Sequence, residues 1–281
     1  MALDFTNNND WDFDVIETPV SELGSDTPIE GWKLLKRADN GKRLNMCRSS
    51  YTVLPNAAVV QTMEDAIKKA DISNDYNFKI TSLDDGRKFS CEIIWPDATV
   101  APNVGDITSF RVRAFNSYDG TLPFSESADG LRLICKNGQV MPHAIAGQVS
   151  RHTKNIDVAG VADRIVKGFE MFQNQREVWA LMTQTKIDVP ETIEFFKTHL
   201  VQQPTLATRD PFNRKQLASL ASILDTEVYT LGRNKWAAYN AMTAWATHVG
   251  ETASPAITTR NREEKIARAM RSSAWRQLEA A

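Results

Sequence analysis

Several chemistries are excluded by what this chain lacks. Its three cysteines, Cys47, Cys91 and Cys135, form no Cys-x-x-Cys pair and no even set, which fits a reducing compartment and excludes a disulfide framework. No apolar run approaches the ~20 residues that span a bilayer. The opening stretch, MALDFTNNNDWDFDV, has neither a basic start nor an apolar segment, so we expect no secretory signal and a cytoplasmic protein without a membrane partner. There is no GxxxxGK[ST] or GxGxxG loop to cradle phosphate, no HExxH pair and no GxSxG elbow. His143, His152, His199 and His248 share no metal-ligand spacing. A Cys135 nucleophile served by His143 or His152 is conceivable, but a lone cysteine at a strand end is more commonly a packing residue. The expectation is a protein that is not an enzyme and has no metal or cofactor.

What is present is ordinary globular composition, 42% hydrophobic and 24% charged, in a chain long enough to bury a sizeable core. The net charge of −2 conceals an asymmetry. Residues 1–30 hold eight acids and no Lys or Arg, which leaves the remainder with 33 basic residues against 27 acids, formally +6. An acidic arm on a basic body is either a solvated tail or a polyanion mimic that competes for the basic surface. Trp11, Phe13, Val15 and Ile16 indicate that part of the arm packs on something.

Periodicity predicts an α+β fold with an antiparallel sheet, in the order hairpin, helix, strands, followed by a helical C-terminal half. The first hairpin runs from Gly31 to Tyr51 and turns at Ala38-Asp39-Asn40-Gly41, where Asn-Gly supplies positive φ. Asn56 is the expected N-cap of a helix over about 57–70. A second hairpin turns at Asp84-Asp85-Gly86 and closes before Pro96, and further strands are expected at 107–115 and 130–135. From Val158 the period becomes helical, giving a long helix to about 184, helices opening at Val189-Pro190 and Asp210-Pro211, one over about 234–248, and a basic one over about 259–278. The expected organisation is an acidic arm at 1–30, an α+β core at 31–200 and a helical extension at 201–281.

Three basic clusters carry the functional expectation. The first hairpin bears Lys33, Lys36, Arg37, Lys42, Arg43 and Arg48. The central strands bear Arg111, Arg113, Arg132 and Lys136, followed by Arg151, His152 and Lys154 before the long helix. Arg111 and Arg113, two residues apart, project from one strand face, where guanidinium groups are costly unless solvated or facing anions. The last helix bears Arg260, Arg262, Lys265, Arg268, Arg271 and Arg276. Each cluster also has a plain structural explanation, such as edge protection for the hairpin and helix docking for the terminus. Lys42, Arg43, Arg111, Arg113, Arg132, Lys136, Arg151, His152 and Lys154 are the candidate phosphate contacts, the latter His in a cationic neighbourhood that disfavours its protonation.

Asn116-Ser117-Tyr118-Asp119-Gly120, then Leu131-Arg132-Leu133-Ile134-Cys135-Lys136-Asn137-Gly138, then Arg151-His152-Thr153, occur in the order found in the phage- and plasmid-like family called domain of unknown function 932. Arg48 to Asn56 resembles the tyrosine-containing segment before that family's first helix. The resemblance covers roughly residues 45–200 and departs from the pattern at Tyr118, where His is common. It implies a mobile-element protein. The family's strand–helix order is similar to that of single-strand annealing proteins of the lambda Red beta and RecT groups. What this implies is a phage-type protein that binds or anneals single-stranded DNA in recombination or replication, as a possible homo-oligomer. The rival expectation is a protein–protein module of the host-takeover or inhibitor kind. A metal-dependent nuclease using Asp106, Asp119 and Asp129 is a third.

Overall fold

Alternating apolar and polar residues, which in an extended chain point to opposite faces, build the N-terminal half. A computed structural model describes residues 2–4, 10–102, 106–132, 137–139, 147–154, 156, 160–202, 212–248 and 255–279. Its strands are β1 (Ala2–Asp4), β2 (Val15–Ser21), β3 (Pro28–Arg37), β4 (Arg43–Arg48), β5 (Asn77–Leu83), β6 (Lys88–Val100), β7 (Thr108–Ser117), β8 (Phe124–Arg132), β9 (Asn137–Gln139) and β10 (Gly147–Ser150). The larger sheet runs β1-β5-β6-β7-β8-β10, with β9 also beside β8. Its hairpin β5-β6 is antiparallel, as are β8-β9 and β8-β10, while β1 adds parallel to β5. The smaller sheet, β2-β3-β4, is antiparallel throughout.

The helices are α1 (Asn56–Ala70), α2 (Val161–Gln184), α3 (Val189–His199), α4 (Arg214–Leu231), α5 (Lys235–Thr247), α6 (Pro255–Met270) and α7 (Ser273–Gln277). Strands first and helices mostly in the C-terminal half make the fold α+β, as the periodicity predicts. No helix among the described residues is long and apolar enough to cross a membrane.

Contacts divide the chain into two compact units. The first is Met1–Ala98 with Arg111–Ala128 and Ile145–Phe169, and the second is Thr99–Phe110 with Asp129–Ala144 and Glu170–Ala281. Within the first, the small sheet closes over Phe13, Leu35, Leu44, Cys47 and Tyr118, all buried. Within the second, an aromatic chain links Phe110, Phe172, Trp179, Trp236 and Tyr239 at successive ring separations of 5.4, 6.0, 5.5 and 5.3 Å. Each such pair adds about 0.5–1.5 kcal/mol beyond area burial. Helix α5 is buried from Lys235 to Ala246, as a helix with no continuous polar face must be.

Several details differ from the sequence expectation, among them β8, which begins at Phe124 and not at Gly130. Val15–Ser21, within the acidic arm, is β2 of the small sheet, because Phe13 and Val15 have apolar partners beneath it. Pro55, not Asn56, holds the cap position of α1, and Asn56 begins the helix with its amide turned inward to Asn116. Strand β6 continues through Pro96, which lies beyond Ile94, its last residue paired with β5, so that ladder loses no donor. The terminal helix breaks at Arg271 and Ser272, where the Ser272 hydroxyl accepts the Trp275 amide and starts α7.

Candidate functional site

The three motif segments of the first unit converge on one buried polar cluster. The Tyr118 hydroxyl accepts the Asn56 amide at 2.8 Å, at the first turn of α1. The Asn116 amide donates to Leu54 O at 2.9 Å and to Asn56 Oδ1 at 2.8 Å. The Tyr51 hydroxyl donates to Ser117 O at 2.7 Å, and the Tyr51 ring stacks on His152 at 4.7 Å. His152 faces Thr52 O from Nδ1 and Leu122 O from Nε2, at 3.2 and 3.3 Å. Burial holds the His152 pKa below its ordinary value against the raising effect of these two carbonyls, and pushes Tyr118 up to about 12. Asp119 accepts from the Thr121 amide as a turn residue does. The arrangement fixes the fold: it joins 48–56, 116–122 and 151–153 through hydrogen bonds made inside the protein.

The candidate phosphate contacts separate into three groups. Arg111 and Arg113 are 5% and 9% exposed on β7, every residue of which is buried. Arg111 Nη1 lies 3.3 Å from Glu92 Oε2, and the Arg113 guanidinium lies 5.9 Å from the Phe115 ring centroid. Arg111 thus meets a partly exposed carboxylate, which offsets part of the cost of burying its charge. His152 is likewise interior, so all three are removed from any surface reading. Lys42, Arg43, Arg151 and Lys154 are exposed, Lys42 in an ion pair with Asp85 at 2.7 Å that lowers the Asp85 pKa. Lys136 and the side chain of Arg132 lie outside the described residues. Of the proposed metal-binding acids, Asp106 accepts from Trp236 Nε1 in the second unit, whereas Asp119 belongs to the first.

The outer face of the small sheet gathers cations that the sequence scattered. Register pairs Ile16 with Lys36, Thr18 with Leu34, Trp32 with Arg48, Leu34 with Met46 and Lys36 with Arg43. Because paired residues share a face, one surface carries Lys36, Arg43 and Arg48 around Trp32, Leu34, Ile16 and Met46. Ile16 and Met46 are 46% and 56% exposed. The Arg48 guanidinium sits 4.2 Å from the Trp32 ring centroid, so the indole supports a cation at the surface. On the opposite face Glu17 pairs with Lys33 at 2.9 Å. Buried Arg37 holds Asp39 through two bonds of 2.9 and 2.7 Å and Asp10 at 3.1 Å, and its hydrogen bonds to Asp39 raise its pKa. A backbone bond ties the segment after β4 to the basic 151–154 segment, with Thr52 N donating to His152 O at 3.0 Å.

Next to this face is a hollow of about 490 Å³, lined among others by Val20, Leu34, Met46, Asn45, Arg43 and Arg87. Trp32 and Arg87 were absent from the sequence-derived candidates. The Asp-Asp-Gly-Arg turn was the available signal for Arg87, and the Trp32–Arg48 pairing required the register.

In the second unit, the basic terminal helix spends cations on its own neighbours. Arg262 donates to Trp245 O near the end of α5 and lies 4.5 Å from the Trp245 ring, while Lys265 donates to Leu200 O at the end of α3. Helix C-termini expose carbonyls that favour such cations. Burial lowers the pKa of both Arg262 and Lys265.

No curated protein and no solved structure matches this chain. Residues 43–275 match the family described as domain of unknown function (DUF932), a span that includes the β4 cations, the Tyr118 cluster and the helical half, and the chain belongs to that family.

Proposed function

We propose that this protein binds single-stranded DNA across the outer face of the small sheet and acts as a strand-annealing protein of phage type, working as a homo-oligomer. The observation that carries the reading is the set Lys36, Arg43 and Arg48 around Trp32 on one face of the small sheet. Phosphates of an unpaired strand find cations there, and its bases find the Arg48 guanidinium plane and apolar side chains to stack on. Exposed Arg151 and Lys154 flank His152, whose carbonyl accepts the Thr52 amide, and add cations near the end of β4. Annealing, and a place in recombination or replication, rest on the likeness of strand–helix order to the Red beta and RecT groups.

Electrophoretic shift of a labelled oligonucleotide at two salt concentrations tests the binding. Affinity is expected to fall with salt at a slope of about −0.7 for each single-strand phosphate neutralised. No shift at low salt ends the reading. A protein-binding module is the second reading, favoured by Val178 and Leu181 on α2, which are 42% and 64% exposed, and by Tyr229 on α4 at 93%. A partner retained from host lysate after nuclease treatment, together with no oligonucleotide shift, supports that alternative.

A further inference from the structure

The hollow beside the basic face has a chemistry of its own. Val20, Leu34 and Met46 give it apolar wall, Asn45 brings an amide that both donates and accepts, and Arg43 and Arg87 bring two guanidinium groups. No Asp or Glu lines it. Its volume of about 490 Å³ falls within the ~300–1,000 Å³ of small-ligand sites. Arg87 is oriented through Nε, which donates to Asp84 O at 3.2 Å and leaves its terminal nitrogens to other acceptors. A purely phosphate-binding groove has no use for an apolar wall, and a purely apolar pocket would not carry two guanidinium groups.

We infer that the hollow takes one unstacked base of the bound strand, with the phosphates on either side of it held by Arg43 and Arg87. This rests on the strand-binding reading above and adds a discrete base site to it. The base leaves water against Val20, Leu34 and Met46, and its polar edge meets Asn45. Arg43 stands both on the outer face, by its pairing with Lys36, and in the wall of the hollow. The strand therefore passes from one to the other without leaving positive surface.

The test compares a thymidine oligonucleotide with an abasic deoxyribose-phosphate chain of equal length and charge, by fluorescence anisotropy. Stacking at Trp32 and Arg48 is reduced with Trp32→Leu, which keeps an apolar side chain in the strand. In that background the thymidine chain is expected to bind about five-fold tighter or more, from one buried base. Adding Met46→Glu, at an exposed position, is expected to bring the two chains to equal affinity, since any change in charge acts on both alike. Loss of the preference with Trp32→Leu alone, or its survival in the double variant, overturns the base site and leaves strand binding standing. Absence of binding by either chain to the unaltered protein overturns the strand reading and the base site together.

Discussion

The hydroxyl of Tyr118 accepts the backbone amide of Asn56 at 2.8 Å, so a turn after β7 satisfies the start of a helix formed 62 residues earlier. Helix N-termini leave amides unpaired, and Pro55 supplies no side-chain cap to α1. Tyr118→Phe keeps the ring among Phe13, Leu35 and Leu44 but orphans that buried amide. The expected loss is about 1–3 kcal/mol, read as a lower urea midpoint with unchanged slope. An unchanged midpoint would show that water replaces the hydroxyl.

Acid should loosen the same cluster through His152. Burial keeps its folded pKa below the ordinary 6.5, so on acidification the unfolded chain accepts a proton that the folded one resists. Stability from this group is complete above that value and falls as pH drops through it, by at most about 1.4 kcal/mol per pH unit. Thermal melts between pH values of about 7.5 and 5.5 should show the decline, roughly 2–4 °C for each kcal/mol. His152→Gln should melt lower at the upper pH and lack that slope. Parallel slopes in the two proteins would assign the acid sensitivity elsewhere.

Two glycines in turns of positive φ should respond differently to alanine. At Gly86, φ +85°, a Cβ would lie 2.3 Å from Phe13 Cε1 and 2.5 Å from Asp10 O. At Gly41, φ +71°, it would meet nothing within 4 Å. Gly41→Ala bears only the backbone penalty, about 1 kcal/mol, whereas Gly86→Ala adds overpacking of about 1–3 kcal/mol. Denaturation of the two variants side by side measures the difference, and equal losses would mean that Phe13 moves freely aside.

On the nucleic-acid reading, charge removal should depend on which side of a strand the residue faces. Arg43→Ala and Lys36→Ala should each reduce the salt slope of oligonucleotide binding by about 0.7, with little effect on stability. Arg111→Ala should leave the slope unchanged and cost stability, since it strands Glu92 beside a buried strand. A slope altered by Arg111→Ala and not by Arg43→Ala would place the strand elsewhere.

Local chemistry made part of this legible in the sequence. Asn40-Gly41 located the first hairpin, and the change to helical spacing after Val158 announced the C-terminal half. Strand β8, Phe124 to Arg132, is expected from the sequence only from Gly130, because its Ser, Glu, Ala and Asp residues have little intrinsic preference for strand, and pairing with β9 and β10 defines its earlier part. β2 was hidden by its neighbourhood of acids and by Pro19. At the site, sequence gave the cations but not their sides. Lys36 and Arg37 are adjacent, yet one lies on the outer face and the other beneath the sheet. Arg111 and Arg113 did share a strand, but only tertiary packing determines that β7 is covered throughout.

Arg37 has a consequence for the electrical character of the small sheet. By gripping Asp10, Asp39 and the carbonyl of Asp85 from below, it ties three stretches of acidic chain to the underside. The charges beneath the sheet are thus matched among themselves, Glu17 by Lys33 and Asp10 and Asp39 by Arg37. On the nucleic-acid reading, a polymer of phosphates approaching the outer face would meet Lys36, Arg43 and Arg48, although the molecule as a whole carries a small negative charge.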